Sequence, residues 1–166
     1  MVKSRTLRVK TSGNCDIIEV TEQVAKEVDG SGIENGIVTV FAVGSTAGIA
    51  TIEHESGLVT DLKAMWDKLI PPSVGYHHNQ AWGDGNGHSH LRASLLGPSL
   101  TVPFTKKKMH LGTWQQIVYV DFDNRPRSRE IVLQIIGDWL ATCLTWTSSS
   151  TRDRWPLLAY RRSQIR

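Results

Sequence analysis

Four of the six histidines lie within fourteen residues, and their spacing suggests metal chemistry. The segment HSHLRASLL (88–96) is predicted as a strand, on which His88 and His90 would point to the same side because side chains alternate. His78, at the start of the preceding glycine-rich loop, can supply a third nitrogen. Three imidazoles with an open fourth position and no nearby cysteine are typical of catalytic zinc. We therefore predict that His78, His88 and His90 bind a divalent metal, with zinc favoured.

The same histidines can also be explained without a metal. An H-x-H pattern occurs often by chance, so the imidazoles can be polar loop and strand residues without a ligand. Imidazole also serves as an acid, a base or a hydrogen-bond donor to phosphate near neutral pH. Asp84 and Asn86, in the same loop, either orient the imidazoles and help to bind a substrate or only form turns.

The segment GSTAG (44–48) is a turn that leaves a predicted buried strand. Backbone N–H groups in such turns can bind an anion, which makes Ser45 and Thr46 candidate substrate-binding residues. A tight turn between two strands explains the segment equally well. No lysine follows at the spacing of a nucleotide P-loop, which excludes that site. Glu53 and Asp61 are candidate acids, or surface carboxylates.

The segment GTWQQ adds two further candidates for substrate binding. Trp114 can line a pocket, although a tryptophan in a strand is more often part of the core. Gln115 would point to the opposite face of the same strand.

The elements that must position these groups are mainly strands. Two helices are predicted, one that begins at a capping Thr21 and ends at Gly30, and one over residues 57–70 that Pro71 terminates. Residues 71–87 form a long loop, and loops of this length in compact domains are often functional. The predicted strands cover residues 5–11, 36–43, 46–53, 88–96, 99–104, 110–122 and 128–137, the last two forming a hairpin about the DNRPR turn. Many strands with two helices predict an α+β, mainly antiparallel fold.

Length and composition predict one domain without a membrane partner. The chain of 166 residues contains no apolar stretch of about 20 residues that would span a bilayer. The N-terminal segment MVKSRTLRVKT has no apolar run, so we expect no signal peptide. Cys15 and Cys143 stand outside any C-x-x-C pattern, which favours a reducing compartment and predicts a cytoplasmic protein.

The positive charge of the chain is confined to its C-terminal end. Residues 1–137 carry 14 Lys or Arg and 14 Asp or Glu, whereas residues 138–166 carry five Arg and two Asp. Nucleic acid is therefore not an expected partner, because a basic stripe on a folded face would be needed. The lysines at 106–108 are interpreted as an exposed hairpin tip. Residues 138–166 are predicted to be an appendage that the core fold does not require, or that docks on the body or on a neighbouring subunit.

Several motifs together resemble one known family. They are GSTAGIATIE (44–53), GLVTDL (57–62), YHHN (76–79), DGNGHSHLRASLLGPSLTVPF (84–104) and LGTWQQI (111–117). In this order and spacing, residues 1–137 resemble the YjbQ family, also called UPF0047. The similarity is greatest to a subgroup that has G-S-T-A where other members have H-T-T-A.

The resemblance implies a fold, an assembly and an activity. Family members are small α+β proteins with a β-sandwich or barrel-like core and are assembled as homotrimers. Some hold a metal, usually zinc, through histidines, and some have a secondary thiamine-phosphate synthase activity. That reaction joins an aminopyrimidine-methyl diphosphate to a thiazole phosphate and releases diphosphate. The expected function is a transferase acting on a small phosphorylated substrate, and the alternative is a non-catalytic trimer that binds a small anion or a metal.

The family motifs also imply which residues do the chemistry. His78 and His90 match the family histidines, and Glu53 and Asp61 match its acidic residues, so these four are the expected catalytic groups. Gly44 stands where the H-T-T-A members have their first histidine. We interpret His88 as a replacement for that imidazole, supplied from another strand.

Overall fold

The computed structural model describes residues 1–138, so the predictions for the C-terminal appendage concern residues outside this part, Asp138 excepted. The elements follow one another as β1 (Val2–Thr11), β2 (Asp16–Glu19), α1 (Thr21–Asp29), β3 (Asn35–Val43), β4 (Ala47–Ile52), α2 (Ser56–Leu69), α3 (His77–Trp82), α4 (Gly87–Leu96), β5 (Ser99–Thr105), β6 (Lys108–Met109), β7 (Gln116–Asp121) and β8 (Arg127–Asp138). Within residues 1–138, no helix combines the length and the apolar character needed to cross a membrane.

The strands form two antiparallel sheets. The larger has the order β1-β8-β3-β5-β6, and the smaller has the order β2-β7-β4. The α+β, mainly antiparallel fold class is therefore confirmed. β7 and β8 were predicted as a hairpin, and that prediction is wrong because β7 pairs with β2 and β4 whereas β8 pairs with β1 and β3. The segment between them instead carries the chain from one sheet to the other.

The core lies in two layers on either side of β7. Its alternate residues Ile117 and Tyr119 pack towards the five-stranded sheet, and Val118 and Val120 pack towards the helices. The run IVYV is apolar throughout because both faces of this strand are buried. On the helix side, the ring of Trp66 in α2 meets the ring of Phe122 edge-on at a centroid distance of 5.0 Å. The layers are thus the five-stranded sheet, the three-stranded sheet and the helices α2 and α4, whereas α1 packs with the five-stranded sheet through Val24 and Val28.

The two predicted helices form close to the expected positions. Glu55 caps α2, because its carboxylate accepts hydrogen bonds from the backbone N–H groups of Gly57 and Leu58. Thr21 does not cap α1 as predicted. It is the first helical residue, and its hydroxyl oxygen accepts a hydrogen bond from the backbone N–H of Ile117, 2.8 Å away. Thr21 therefore fastens α1 to β7.

The prediction of a strand over residues 88–96 is wrong, since this segment is helix α4. Its buried residues His88, Ser89, Arg92 and Ala93 follow helical spacing, whereas Leu91 and Leu95 are exposed. Polar side chains face inward while Leu91 and Leu95 face outward, so the pattern of apolar residues does not indicate the correct element here. The preceding loop also contains the short helix α3, and the predicted strand 110–122 is limited to β7.

Candidate functional site

The imidazoles of His78 and His90 lie together, with ring centroids 4.5 Å apart. His88 does not join them. Residues two apart on an α-helix point about 200° away from each other, so His88 and His90 face different sides of α4. His88 is buried beside Cys15 and Arg92 instead. The predicted ligand set therefore fails to converge because the segment is a helix and not a strand.

The loop residues Asp84 and Asn86 surround His78. Asp84 Oδ1 lies 3.5 Å from His78 Nε2. The hydrogen-bond network assigns the amide nitrogen of Asn86 to the side where it donates to Asp84 Oδ1 at 3.0 Å and to His78 Nε2 at 3.2 Å. Asn86 is buried and stands at the N-cap position of α4. Of the two predicted roles, orienting the imidazole is the one that this geometry fits, in addition to turn formation.

His90 separates two cavities on the surface of the helical layer. The larger has a volume of about 360 Å³ and is lined by Tyr76, His77, His78, Gly87, His90 and Leu91. The smaller has a volume of about 220 Å³ and is lined by Gly44, Ser45, Ala47, His90, Ala93, Ser94 and Pro98. One imidazole therefore faces both the second histidine and the turn that precedes β4.

In the turn before β4, Ser45 lies on the surface and Thr46 lies in the interior. Ser45 is exposed and lines the smaller cavity, as expected of a ligand-binding residue. Thr46 is buried, and its hydroxyl is bound to Arg129 and Asp123, so it supports the turn from below. Gly44 has φ +143°, a conformation that L side chains rarely adopt. In this backbone conformation, a histidine in place of Gly44 would be strained.

Arg129 anchors this turn through a buried ion network that the sequence analysis missed. Its Nε and Nη2 donate to the two carboxylate oxygens of Asp121 at 2.8 and 2.7 Å, and Nη2 also donates to Thr46 Oγ1 at 2.7 Å. Arg127 Nε donates to Asp123 Oδ2 at 2.7 Å. The signal was present in DFDNRPRSR, where two acids and three arginines alternate with other residues.

The electrostatics of the network follow from burial and pairing. Burial alone would raise the pKa of Asp123, but the hydrogen bond from Arg127, its charge and the Asn124 N–H outweigh burial and lower the pKa. Burial acts to lower the pKa of Arg129, and its hydrogen bonds to Asp121 reverse the effect and raise the pKa. Arg129 Nη1 makes no hydrogen bond with residues 1–138 and lies 3.4 Å from where a Cβ on Gly44 would stand. The charges of the network balance, and within the described residues Arg129 Nη1 is its free hydrogen-bond donor beneath the turn.

Four other predicted site residues lie elsewhere in the chain. Glu53 follows the far end of β4, roughly 20 Å along the strand from the turn at 44–46. Asp61 is exposed on α2, and neither carboxylate is bonded to a histidine of the described part. Trp114 is 69% exposed in a loop, so it does not belong to the core. Gln115 Nε2 donates to Thr51 Oγ1 at 3.1 Å, near the same far end.

The described residues of one chain do not fit the predicted three-histidine metal site. Among residues 1–138, no group of three or more His, Cys, Asp or Glu side chains is arranged to hold an ion. The donors that do lie together are His78, His90 and Asp84. The zinc prediction stays a prediction.

The chain is similar to a defined group of proteins. The sequence profile of the family described as UPF0047 protein YjbQ-like matches residues 5–138. A UPF0047 protein of Methanothermobacter thermautotrophicus is 40% identical over 136 residues, which cover 82% of this chain and 93% of that protein. The UPF0047 protein YugU of Bacillus subtilis is 28% identical over 134 residues, covering 80% and 98%. A crystal structure of a YbjQ-like protein of unknown function from Sulfolobus solfataricus has a TM-score of 0.75 at 34% identity, covering 83% of this chain and 100% of that one.

Proposed function

Because the chain belongs to the UPF0047 YjbQ-like family, we propose that it binds a small phosphorylated molecule at His90 and acts as a thiamine-phosphate-synthase-like transferase. One observation carries the proposal. His90 lies between the cavity that contains His78 and the cavity that contains the Gly44–Ser45 turn. A phosphorylated substrate that occupies both cavities would contact imidazole and hydroxyl groups along its length.

The smaller cavity suits a phosphate or diphosphate group. Ser45 lines it with an exposed hydroxyl group and His90 adds an imidazole, whereas the hydroxyl of Ser94 donates to the backbone carbonyl of His90 at 2.8 Å. Arg129, beneath the turn, is paired with Asp121 but keeps Nη1 as a free donor, since Nη1 makes no hydrogen bond within residues 1–138. Hydroxyl, imidazole and guanidinium groups are common donors to phosphate oxygens.

The proposed reaction needs stabilisation of a departing diphosphate. The thiazole nitrogen uses its lone pair to form a C–N bond with the methylene carbon of the aminopyrimidine, while the C–O bond to diphosphate breaks and its electron pair leaves with the diphosphate. Negative charge on the leaving group is the feature that a site must stabilise. His90 and His78 supply hydrogen bonds or a proton to it, as histidine side chains do in general acid catalysis.

No step of this proposal passes through a metal. His78 is held by Asn86 and by the neighbouring Asp84, which fixes the ring without an ion. Metal analysis of the purified protein tests the zinc prediction separately.

We also propose that the protein is a homotrimer joined through the outer face of the five-stranded sheet. Apolar side chains on this face are between 40% and 56% exposed: Val2, Ile37, Phe41, Val43 and Ile136. The register places Ile136 between Val2 and Ile37, so three of them form one row across the sheet. Contiguous apolar surface of this kind marks an interaction site.

The transferase proposal is tested with His90→Ala and a matched control, His110→Ala. His110 is an exposed histidine that bonds to Thr105 and lines neither cavity. We expect the parent and His110→Ala to form thiamine phosphate from the two phosphorylated substrates, and His90→Ala to lose about 10²–10⁴-fold in kcat/KM.

Calorimetry with diphosphate separates the proposal from its alternative. Diphosphate binding that depends on His90 without any turnover would favour the non-catalytic anion-binding protein. Absence of both turnover and diphosphate binding would contradict the proposed function.

A further inference from the structure

A third cavity, which is polar, lies on the side of α4 opposite to His90. It has a volume of about 230 Å³ and is lined by Asn14, Cys15, Lys63, Asp67, Pro72, His88 and Arg92. Cys15, His88 and Arg92 are buried and form its floor, whereas Lys63 and Asp67 are exposed and stand at its mouth. The proposed transferase site uses none of these residues.

Arg92 is the charged group at the floor of this cavity, and it is only 2% exposed. Its Nε and Nη2 donate to the backbone carbonyl of Ile70, at 3.0 and 2.6 Å, and Nη2 also donates to Asp67 Oδ1 at 2.9 Å. These bonds hold the C-terminal end of α2. Nη1 makes no hydrogen bond with any described residue, so this nitrogen of the guanidinium can still donate to a ligand.

His88 forms an uncharged part of the cavity lining, and its Nδ1 is enclosed by the protein. The hydroxyl of Ser89 donates its proton to the carbonyl of Phe122 at 2.6 Å, so its oxygen accepts from His88 Nε2, 3.3 Å away. Nε2 then carries the ring hydrogen and Nδ1 is a bare acceptor, which is buried without a hydrogen-bond partner in residues 1–138. Burial, and secondarily the charge of Arg92, lower the pKa of His88, which keeps the ring neutral.

The charges around the cavity do not cancel. Burial raises the pKa of Cys15 to about 11, so this thiol is neutral at physiological pH. Lys63 and Arg92 are positive and Asp67 is the only acidic side chain in the lining, which leaves one positive charge. A cavity with a buried guanidinium and a surplus positive charge attracts an anion.

We propose that this cavity is a binding site for a small oxyanion of the phosphate class, such as hydrogen phosphate or a phosphate monoester. Its charged oxygens pair with Arg92 Nη1 and the ammonium group of Lys63. A phosphate group carries more negative charge than a carboxylate, so phosphate binds more tightly than acetate.

The test is calorimetric titration of the full chain carrying His90→Ala, which removes the contribution of the other site. Inorganic phosphate is titrated into this protein alone and into versions that also carry Lys63→Gln or Lys68→Gln. Both lysines are exposed on α2, but only Lys63 lines the cavity. We expect Lys63→Gln to weaken phosphate binding at least tenfold and Lys68→Gln to leave it within twofold.

Two further measurements complete the test. Phosphate should shift the ring resonances of His88 in NMR spectra, and acetate should bind at least tenfold more weakly than phosphate. The proposal is overturned if the His90→Ala protein does not bind phosphate saturably, or if the two lysine variants behave alike. Equal affinity for acetate would overturn the assignment of a phosphate group.

Discussion

At the scale of single residues, the carboxylates of Asp121 and Asp123 are the groups that support the candidate site. Both are almost completely buried and both face arginines. Removing one member of such a pair leaves the other charge buried and unpaired, and this is more costly than losing a surface salt bridge. The network therefore contributes to the stability of the fold and also fixes the position of the turn that carries Ser45.

The lowered pKa of Asp123 predicts that the folded protein loses stability in acid. Its pKa is lower in the folded protein than the value near 3.9 of an unfolded chain, so its contribution is complete above that value. It disappears as the pH falls through the lowered pKa. In urea titrations between pH 2 and 7, Asp123→Asn should be less stable by about 1–3 kcal/mol at pH 7 and should lose less stability on acidification.

The control for this measurement is Asp61→Asn. Asp61 is exposed and makes no hydrogen bond or ion pair with residues 1–138. Its replacement should leave both the stability at pH 7 and the acid dependence unchanged. Equal curves for Asp123→Asn and the parent would show that the ion network contributes nothing.

At the scale of elements, the contact between α3 and α4 sets the distance between the two histidines. Gly87 begins α4 and packs directly on Tyr76, which precedes α3. A Cβ at Gly87 would stand 2.7 Å from Tyr76 Cβ. The backbone N–H of Gly87 also donates to Asn79 Oδ1 at 2.8 Å. Only glycine allows this approach, and this approach brings His78 beside His90.

Gly87→Ala is expected to separate the two helices. The added methyl group should cost about 1–3 kcal/mol of unfolding free energy and weaken diphosphate binding, because the histidine pair moves apart. Gly75→Ala is the matched control, since a Cβ there would meet nothing within 4 Å. Urea unfolding and calorimetry measure the two effects. A Gly87→Ala protein as stable as Gly75→Ala would contradict the proposed packing.

At the scale of the whole molecule, the two faces of the five-stranded sheet differ in what covers them. The inner face packs on the three-stranded sheet, and no described residue covers the apolar rows of the outer face. Residues 1–137 carry equal numbers of positive and negative charges, so net electrostatic repulsion does not oppose association through this face. Association of copies would bury the exposed rows.

Light scattering should give a mass three times the 18.5 kDa of the chain. Phe41→Asp places a charge in the centre of the outer face and should release monomers, since an unpaired charge is costly to bury. Leu69→Asp introduces the same charge on an exposed apolar position of α2 and should leave the assembly intact. A parent protein that remains at 18.5 kDa over a wide concentration range would contradict the trimer.

The order of the motifs and the alternation of apolar residues were enough to predict the family, the fold class and most strands. The prediction of β3 over residues 36–43 succeeded because Val38, Val40 and Ala42 alternate with exposed residues as a one-sided strand requires. The sequence motifs named His78, His90 and Ser45 as site residues, and the cavities on either side of His90 are lined by them. The same motifs also named Glu53 and Asp61, which lie away from these cavities.

The tertiary structure alone decided which way His88 faces and where the ion network forms. In α4, His88, Ser89 and Arg92 are buried whereas Leu91 and Leu95 are exposed, so hydrophobic periodicity indicated the wrong element and the wrong partner for His88. Likewise, Asp121 and Arg129 are joined across two sheets. Hydrophobic periodicity indicates which apolar side chains of a segment share one face. It does not report which polar groups become buried when separate layers pack, because that depends on partners far away in the chain.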